Sequence, residues 1–173
     1  MGDIINISDL KDLKDLSVNI DNAQLDPHIK QAELFDIKPF LGAALYRAFI
    51  TALALDSPTQ IYLDLLNGVE YTYGTDTIKF EGLKYAVGYF ALARYLPFAN
   101  TASTKYGIKI KDSLNSTEPS TKQIQMQIDQ ARSAAQFYLN EANQFLTEKK
   151  TTYTLWKCDG LKRKGGANLS VVG

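Results

Sequence analysis

Acid–base or metal chemistry requires imidazoles, thiols or carboxylates grouped at ligand or proton-transfer spacing. This chain has one histidine, His28, and one cysteine, Cys158. His28 follows Pro27 at an expected helix start, an ordinary place for an exposed side chain. No second histidine or cysteine pair is present to complete a metal site with it. Lys157 beside Cys158 would lower a thiol pKa, but the pair falls in a terminal stretch with no expected pocket. The run GLKRKGG at 160–166 has neither the GxxxxGK(S/T) nor the GxGxxG spacing, and it does not join a strand to a helix. Acidic residues are scattered. No enzyme is therefore expected, with no catalytic residue, no metal and no cofactor.

The chain is long enough for one domain with a sizeable core, at 173 residues and 45% hydrophobic composition. Nineteen basic and nineteen acidic side chains cancel, so no global field favours nucleic acid or anionic lipid. The lone cysteine excludes an internal disulfide framework and fits a reducing compartment. Asp and Lys interrupt the apolar positions of the N-terminus, which does not read as a signal peptide. The neutral total hides a gradient. Residues 1–36 carry eight acids against three lysines, and residues 149–173 carry six bases against Asp159. Either these are two solvated ends, or they are complementary surfaces between subunits or towards an acidic partner.

The elements that would position any site are mainly helical. Residues 1–25 read as a short lead-in, and 26–150 as the domain. Asp26-Pro27 has the form of a cap followed by a first-turn proline, and Pro39 is expected to end that helix and begin the next. Phe40, Leu41, Ala44, Leu45, Ala48, Phe49, Ala52 and Leu53 make a helical stripe there. Ser57-Pro58 repeats the cap signal, and Gly68 is placed to end that helix. Residues 69–80 read as a β-hairpin around Gly74. The helix over 80–98 is apolar nearly all the way round, yet Glu81, Lys84 and Arg94 exclude a membrane span, so protein must cover it. Residues 100–119 read as a long extended loop with one edge strand, YGIKIK, suited by Tyr106, Ile108 and Ile110 to pairing with another chain. The longest helix covers about 120–149, its apolar stripe running from Ile124 to Leu146. The fold class is thus mainly α: a small bundle of four to five helices with a short hairpin, a long loop and an extended C-terminal tail.

That tail, 151–173, has no helical period and few apolar residues, so its order is expected to come from a partner. Tyr153, Leu155 and above all Trp156 would anchor it, since tryptophan is enriched at binding hot spots. Lys162, Arg163 and Lys164 would meet an acidic face of a partner or DNA phosphates. Four bases within 157–164 can neutralise phosphates without reading sequence, and no motif of a specific reader is present. Ten tyrosines add to the interface character.

Three segments carry a family likeness: LDPHIKQAELFDIKPFLGAALY, YLDLLNGVEYTYGTDTIKFEGLKYAVGYFALARYL and TKYGIKIKDSLNSTEPS. Their patterns I-x-P-x-L-G-x-x-L-Y, L-L-x-G-x-x-Y and F-x-G-L-K-x-A-x-x-Y-x-x-x-A-R-Y resemble head-tail connector (adaptor, or neck ring) proteins of tailed phages. The branch resembled is that of phages of Bacteroidetes, including the crAss-like group, over roughly residues 20–150. The resemblance implies a virion protein, assembled in the host cytoplasm, forming a homo-oligomeric ring of twelvefold symmetry beneath the portal. Its partners would be the portal, the next neck or tail ring and DNA in the channel, with no membrane. It implies no active site. It would leave the Tyr85, Tyr89 and Leu92 face of the 80–98 helix against the adjacent subunit. The alternatives are another neck protein such as a stopper or tail-completion subunit, and a non-viral helical adaptor binding a protein partner. A weakly DNA-binding regulator is a further one.

Overall fold

The computed structural model describes residues 4–13, 22–99, 101–104, 107–110 and 120–157. In chain order these form α1 (Ile7–Leu13), α2 (Asn22–Ala32), a π-turn (Glu33–Ile37), α3 (Lys38–Leu41) and α4 (Ala43–Leu53). Then come α5 (Gln60–Asn67), β1 (Val69–Tyr73), β2 (Asp76–Phe80), α6 (Leu83–Tyr95), a 3-10 turn (Leu96–Phe98), β3 (Thr101–Thr104), β4 (Gly107–Ile110) and α7 (Thr121–Glu148). The fold is mainly α with antiparallel hairpins, as the periodicities indicate.

Helix α6 is the hub. It packs along α7 and α2 and touches α1 and α5, and Leu83, Ala86, Val87, Ala91 and Leu92 are buried. Its apolar excess is covered by its own chain. This corrects the expectation that Leu92 faces a neighbouring subunit: it is 2% exposed. Tyr85 and Tyr89 are half-buried. The helix also starts later than its composition implies, because Phe80 completes β2 and Gly82 (φ 100) separates strand from helix.

Several boundaries move under tertiary packing. Pro27 lies inside α2 rather than at its start. The ladder loses a donor there, while Leu25 and Ile29 on either side are buried and outweigh that loss. Pro39 does not separate two helices. It sits in the first turn of α3, which continues directly from the π-turn, and the break comes at Gly42 (φ 76). The wide turn turns Leu34 and Phe35 outward. Within α4, Tyr46 and Ile50 join the buried set, whereas Ala44 is exposed. Thr59, not Ser57, precedes α5. The lead-in is also structural. Asn6 and Asp9 cap α1 reciprocally at 2.9 Å, Ile4, Ile5 and Leu10 are buried, and the Ile4 amide donates to the buried Glu33 carboxylate at 2.6 Å.

The hairpin expected over 69–80 is present, its register running from Val69↔Phe80 to Tyr73↔Asp76. Its two ends meet. Gly68 (φ 92) and Gly82 (φ 100) lie where the strands leave and rejoin the helices. A Cβ on Gly68 would stand 2.6 Å from the Glu81 carbonyl carbon, and one on Gly82 2.6 Å from that of Asn67. Only glycine fits both the space and the dihedral.

Helix α7 opens on a capping box. Ser120 accepts from the Gln123 amide at 3.3 Å, and the Gln123 side chain accepts from the Ser120 amide at 2.8 Å. Ile128, Ala131, Ala135, Leu139, Ala142, Phe145 and Leu146 face the core. Phe145 is its aromatic centre, stacked on Phe80 at 4.6 Å, with Tyr71 and Tyr153 edge-on at 5.2 and 5.6 Å.

The start of the tail belongs to this core. Trp156 is 2% exposed and packs on Phe40 at 5.1 Å. Tyr153 is 4% exposed and donates its hydroxyl to the Ile61 carbonyl at 2.6 Å. Both were expected as partner-docking anchors at the head of an extended tail; intramolecular burial corrects that, and the domain runs past residue 150. Periodicity missed this because a turn can bury two rings without any repeat.

Candidate interaction surface

Among the described residues, three surfaces combine aromatic and polar groups. The first is a tyrosine seam between α6 and α7. Tyr85 and Tyr89 both stack on Tyr138, at 5.2 and 5.8 Å with interplanar angles of 23° and 11°. Phe137 meets Tyr138 edge-on at 5.5 Å and is itself exposed. Lys84 Nζ lies 5.4 Å from the Tyr85 centroid. Glu81 and Glu141 border the seam. Burial first, and Glu81 second, raise the Glu141 carboxyl above its ordinary value.

The second is the outward side of α7. Met126 and Phe137 are 55% and 59% exposed. Eleven residues apart, they fall within about 20° of each other round the helix, with Gln130 and Ser133 between them. The helix has 28 residues, about 42 Å of length, and no residue before Ile128 is buried.

The third lies at the π-turn. Arg94 pairs with Asp36 at 2.8 Å and sits over the exposed Phe35 ring at 5.9 Å. A cleft there is also lined by Phe90, Arg132 and Gln136. Burial raises the Asp36 carboxyl although Arg94, and Arg132 beyond it, pull the other way. His28, expected on the surface, is half-buried between Phe98 (5.6 Å, stacked) and Tyr95 (5.8 Å, edge-on). Its Nδ1 is buried without a hydrogen-bond partner among the described residues. Burial first, then Arg94, lower its pKa.

The expected site residues that are described do not converge. Tyr85 and Tyr89 share the seam, and Leu155 is exposed at 41%. Ile108 and Ile110 lie in β4, in register with Ser103 and Thr101 of the same chain, so one edge of that strand is already taken. Tyr106, Cys158, Lys162, Arg163 and Lys164 fall outside the described residues. Among the described residues no group of three or more His, Cys, Asp or Glu could hold a metal, and no helix is long and apolar enough to cross a membrane.

A mainly α domain presenting aromatic faces is the class these features define. A family model matches residues 37–165, and the chain belongs to that family, DUF6712, described as a family of unknown function. No curated protein and no solved structure matches the chain.

Proposed function

We propose that the chain is a structural subunit of the ring joining portal to tail in a tailed phage, around the DNA channel. The observation that carries this reading is the two-sided α7. One side completes the core, and the other holds Met126 and Phe137 out to solvent on a single stripe. Large apolar side chains repeated along one exposed helix face mark a surface that another protein covers. In a closed ring that protein is the next copy, contacted head to tail. The likeness of residues 20–150 to head-tail connectors supplies the assembly. The portal and the next neck ring are then the axial partners, the channel DNA is a nonspecific neighbour, and the virion is the location.

Native mass spectrometry over a concentration series, with and without the portal protein of the same phage, tests this. Cyclic oligomers or portal-bound rings are expected. Met126→Lys/Phe137→Lys should keep the melting temperature and lose the ring. A chain that stays monomeric at every concentration and ignores portal would overturn the reading.

A further inference from the structure

The tyrosine seam presents flat aromatic faces beside two carboxylates, one of them unanswered. Glu81 has Lys79 at 3.0 Å. Glu141 has no ion pair among the described residues, and its Oε2 is buried without a hydrogen-bond partner. Tyr85, Tyr89 and Tyr138 are half-buried, so the stack keeps an open side. The Lys84 ammonium over Tyr85 shows that these rings accept a cation. A second cation would meet both preferences at once, lying on an aromatic face while neutralising a carboxylate that burial disfavours.

We propose that the occupant is the Lys162-Arg163-Lys164 run of the same chain, laid across the Tyr85–Tyr138–Tyr89 stack against Glu81 and Glu141. Charge is complementary at Glu141: Lys79 already pairs with Glu81, so three consecutive bases meet one carboxylate without an ion pair among the described residues. The turn that precedes the run packs on α7. The described chain ends at Lys157, just after Trp156, and the neighbouring Tyr153 packs on Phe145. Tyr138 lies seven residues before Phe145 on the same helix, about 10 Å along the axis and within about 20° around it. Five residues from Lys157 to Lys162 span up to about 17 Å when extended. The family match ends at residue 165, so the basic run falls inside the matched unit while the last eight residues do not. Attachment in one chain also gives this run an effective concentration in the millimolar range, which a second copy lacks in dilute solution. The contact is intramolecular and does not depend on the assembly reading.

Zero-length carbodiimide cross-linking of the full chain, followed by peptide mapping of the monomer, reads this contact directly. Links from Lys162 or Lys164 to Glu81 or Glu141 are expected, with a yield independent of protein concentration. Links confined to a cross-linked dimer and rising with concentration would assign the seam to another copy's tail and overturn the proposal, as would no link to either glutamate. Trypsin cleavage at 162–164 is the second measurement. Glu81→Gln/Glu141→Gln should speed it about threefold to tenfold at unchanged melting temperature, and an unchanged rate overturns the proposal. Glu81 and Glu141 are both half-buried at the edge of the seam rather than in the core, so the variant should fold.

Discussion

Trp156→Ala should weaken the whole domain rather than a remote contact. The indole is 2% exposed and packs on Phe40 at 5.1 Å. A buried tryptophan covers about 200 Å², which at about 25 cal/mol per Å² is roughly 5 kcal/mol of transfer free energy. Against that, Nε1–H is buried with no partner among the described residues, and such a donor costs about 1–3 kcal/mol. The net loss on truncation is then about 3 kcal/mol, at the lower end for tryptophan-to-alanine changes in cores. For a chain of this length that is a fall of about 6–12 °C in Tm. Trp156→Phe keeps a ring against Phe40 and deletes the orphaned donor, so it should stay within about 1 kcal/mol of the parent. Urea unfolding followed by far-ultraviolet circular dichroism measures both. A chain ending at Lys150, lacking Tyr153 and Trp156, should be largely unfolded. If Trp156→Ala costs under about 1 kcal/mol, or the chain ending at Lys150 melts like the parent, Trp156 is not a core residue and the reasoning fails.

Three further outcomes follow from local geometry. Gly82→Ala should cost about 2 kcal/mol or more, since φ 100 is combined with a backbone carbonyl carbon 2.6 Å from the new Cβ; a thermal melt within 2 °C of the parent would contradict it. Ser120→Ala removes the α7 cap and should cost about 1 kcal/mol, read by urea titration, with no loss counting against the cap. His28 titrates below its ordinary 6.5 in the folded chain, so the unfolded chain binds the extra proton first. Stability is therefore lost as pH falls through about 6.5. Asp36 and Glu141 are raised and act in the opposite sense nearer the carboxylate range. His28→Gln isolates the histidine contribution: its stability should be flatter between about pH 5 and 7, and identical slopes in both proteins would refute the assignment.

The features readable in advance are those set by neighbours in sequence. The start of α7 near residue 120, its inward stripe, the end of α5 at Gly68 and the hairpin over 69–80 all depend on residues within one or two turns. What could not be read depends on contacts between distant segments. Pro27 looks like a helix start until Leu25 and Ile29 are both found in the core. The π-turn has no local signature, and Phe35 reads as core until that turn pushes it outward. Trp156 and Tyr153 look solvent-bound because their cover, Phe40, Phe145 and Ile61, lies up to 116 positions away. The same holds for the seam: Tyr85 and Tyr89 stood out by type, but their stacking on Tyr138 joins α6 to α7 across about fifty residues.

The crossing of Gly68 and Gly82 makes the β1–β2 hairpin a closed excursion. The chain departs from the helical body and returns to it at one point; Tyr71 and Phe80 pack on Phe145 near that point, and residues 72–77 beyond them are exposed. Residues can be added or removed at the Gly74–Thr75 tip in matched pairs, one per strand, and every remaining side chain keeps its face. The helices would not move. Within a family built on this body, the hairpin can therefore serve as a ruler whose length is adjusted independently of the fold that carries it.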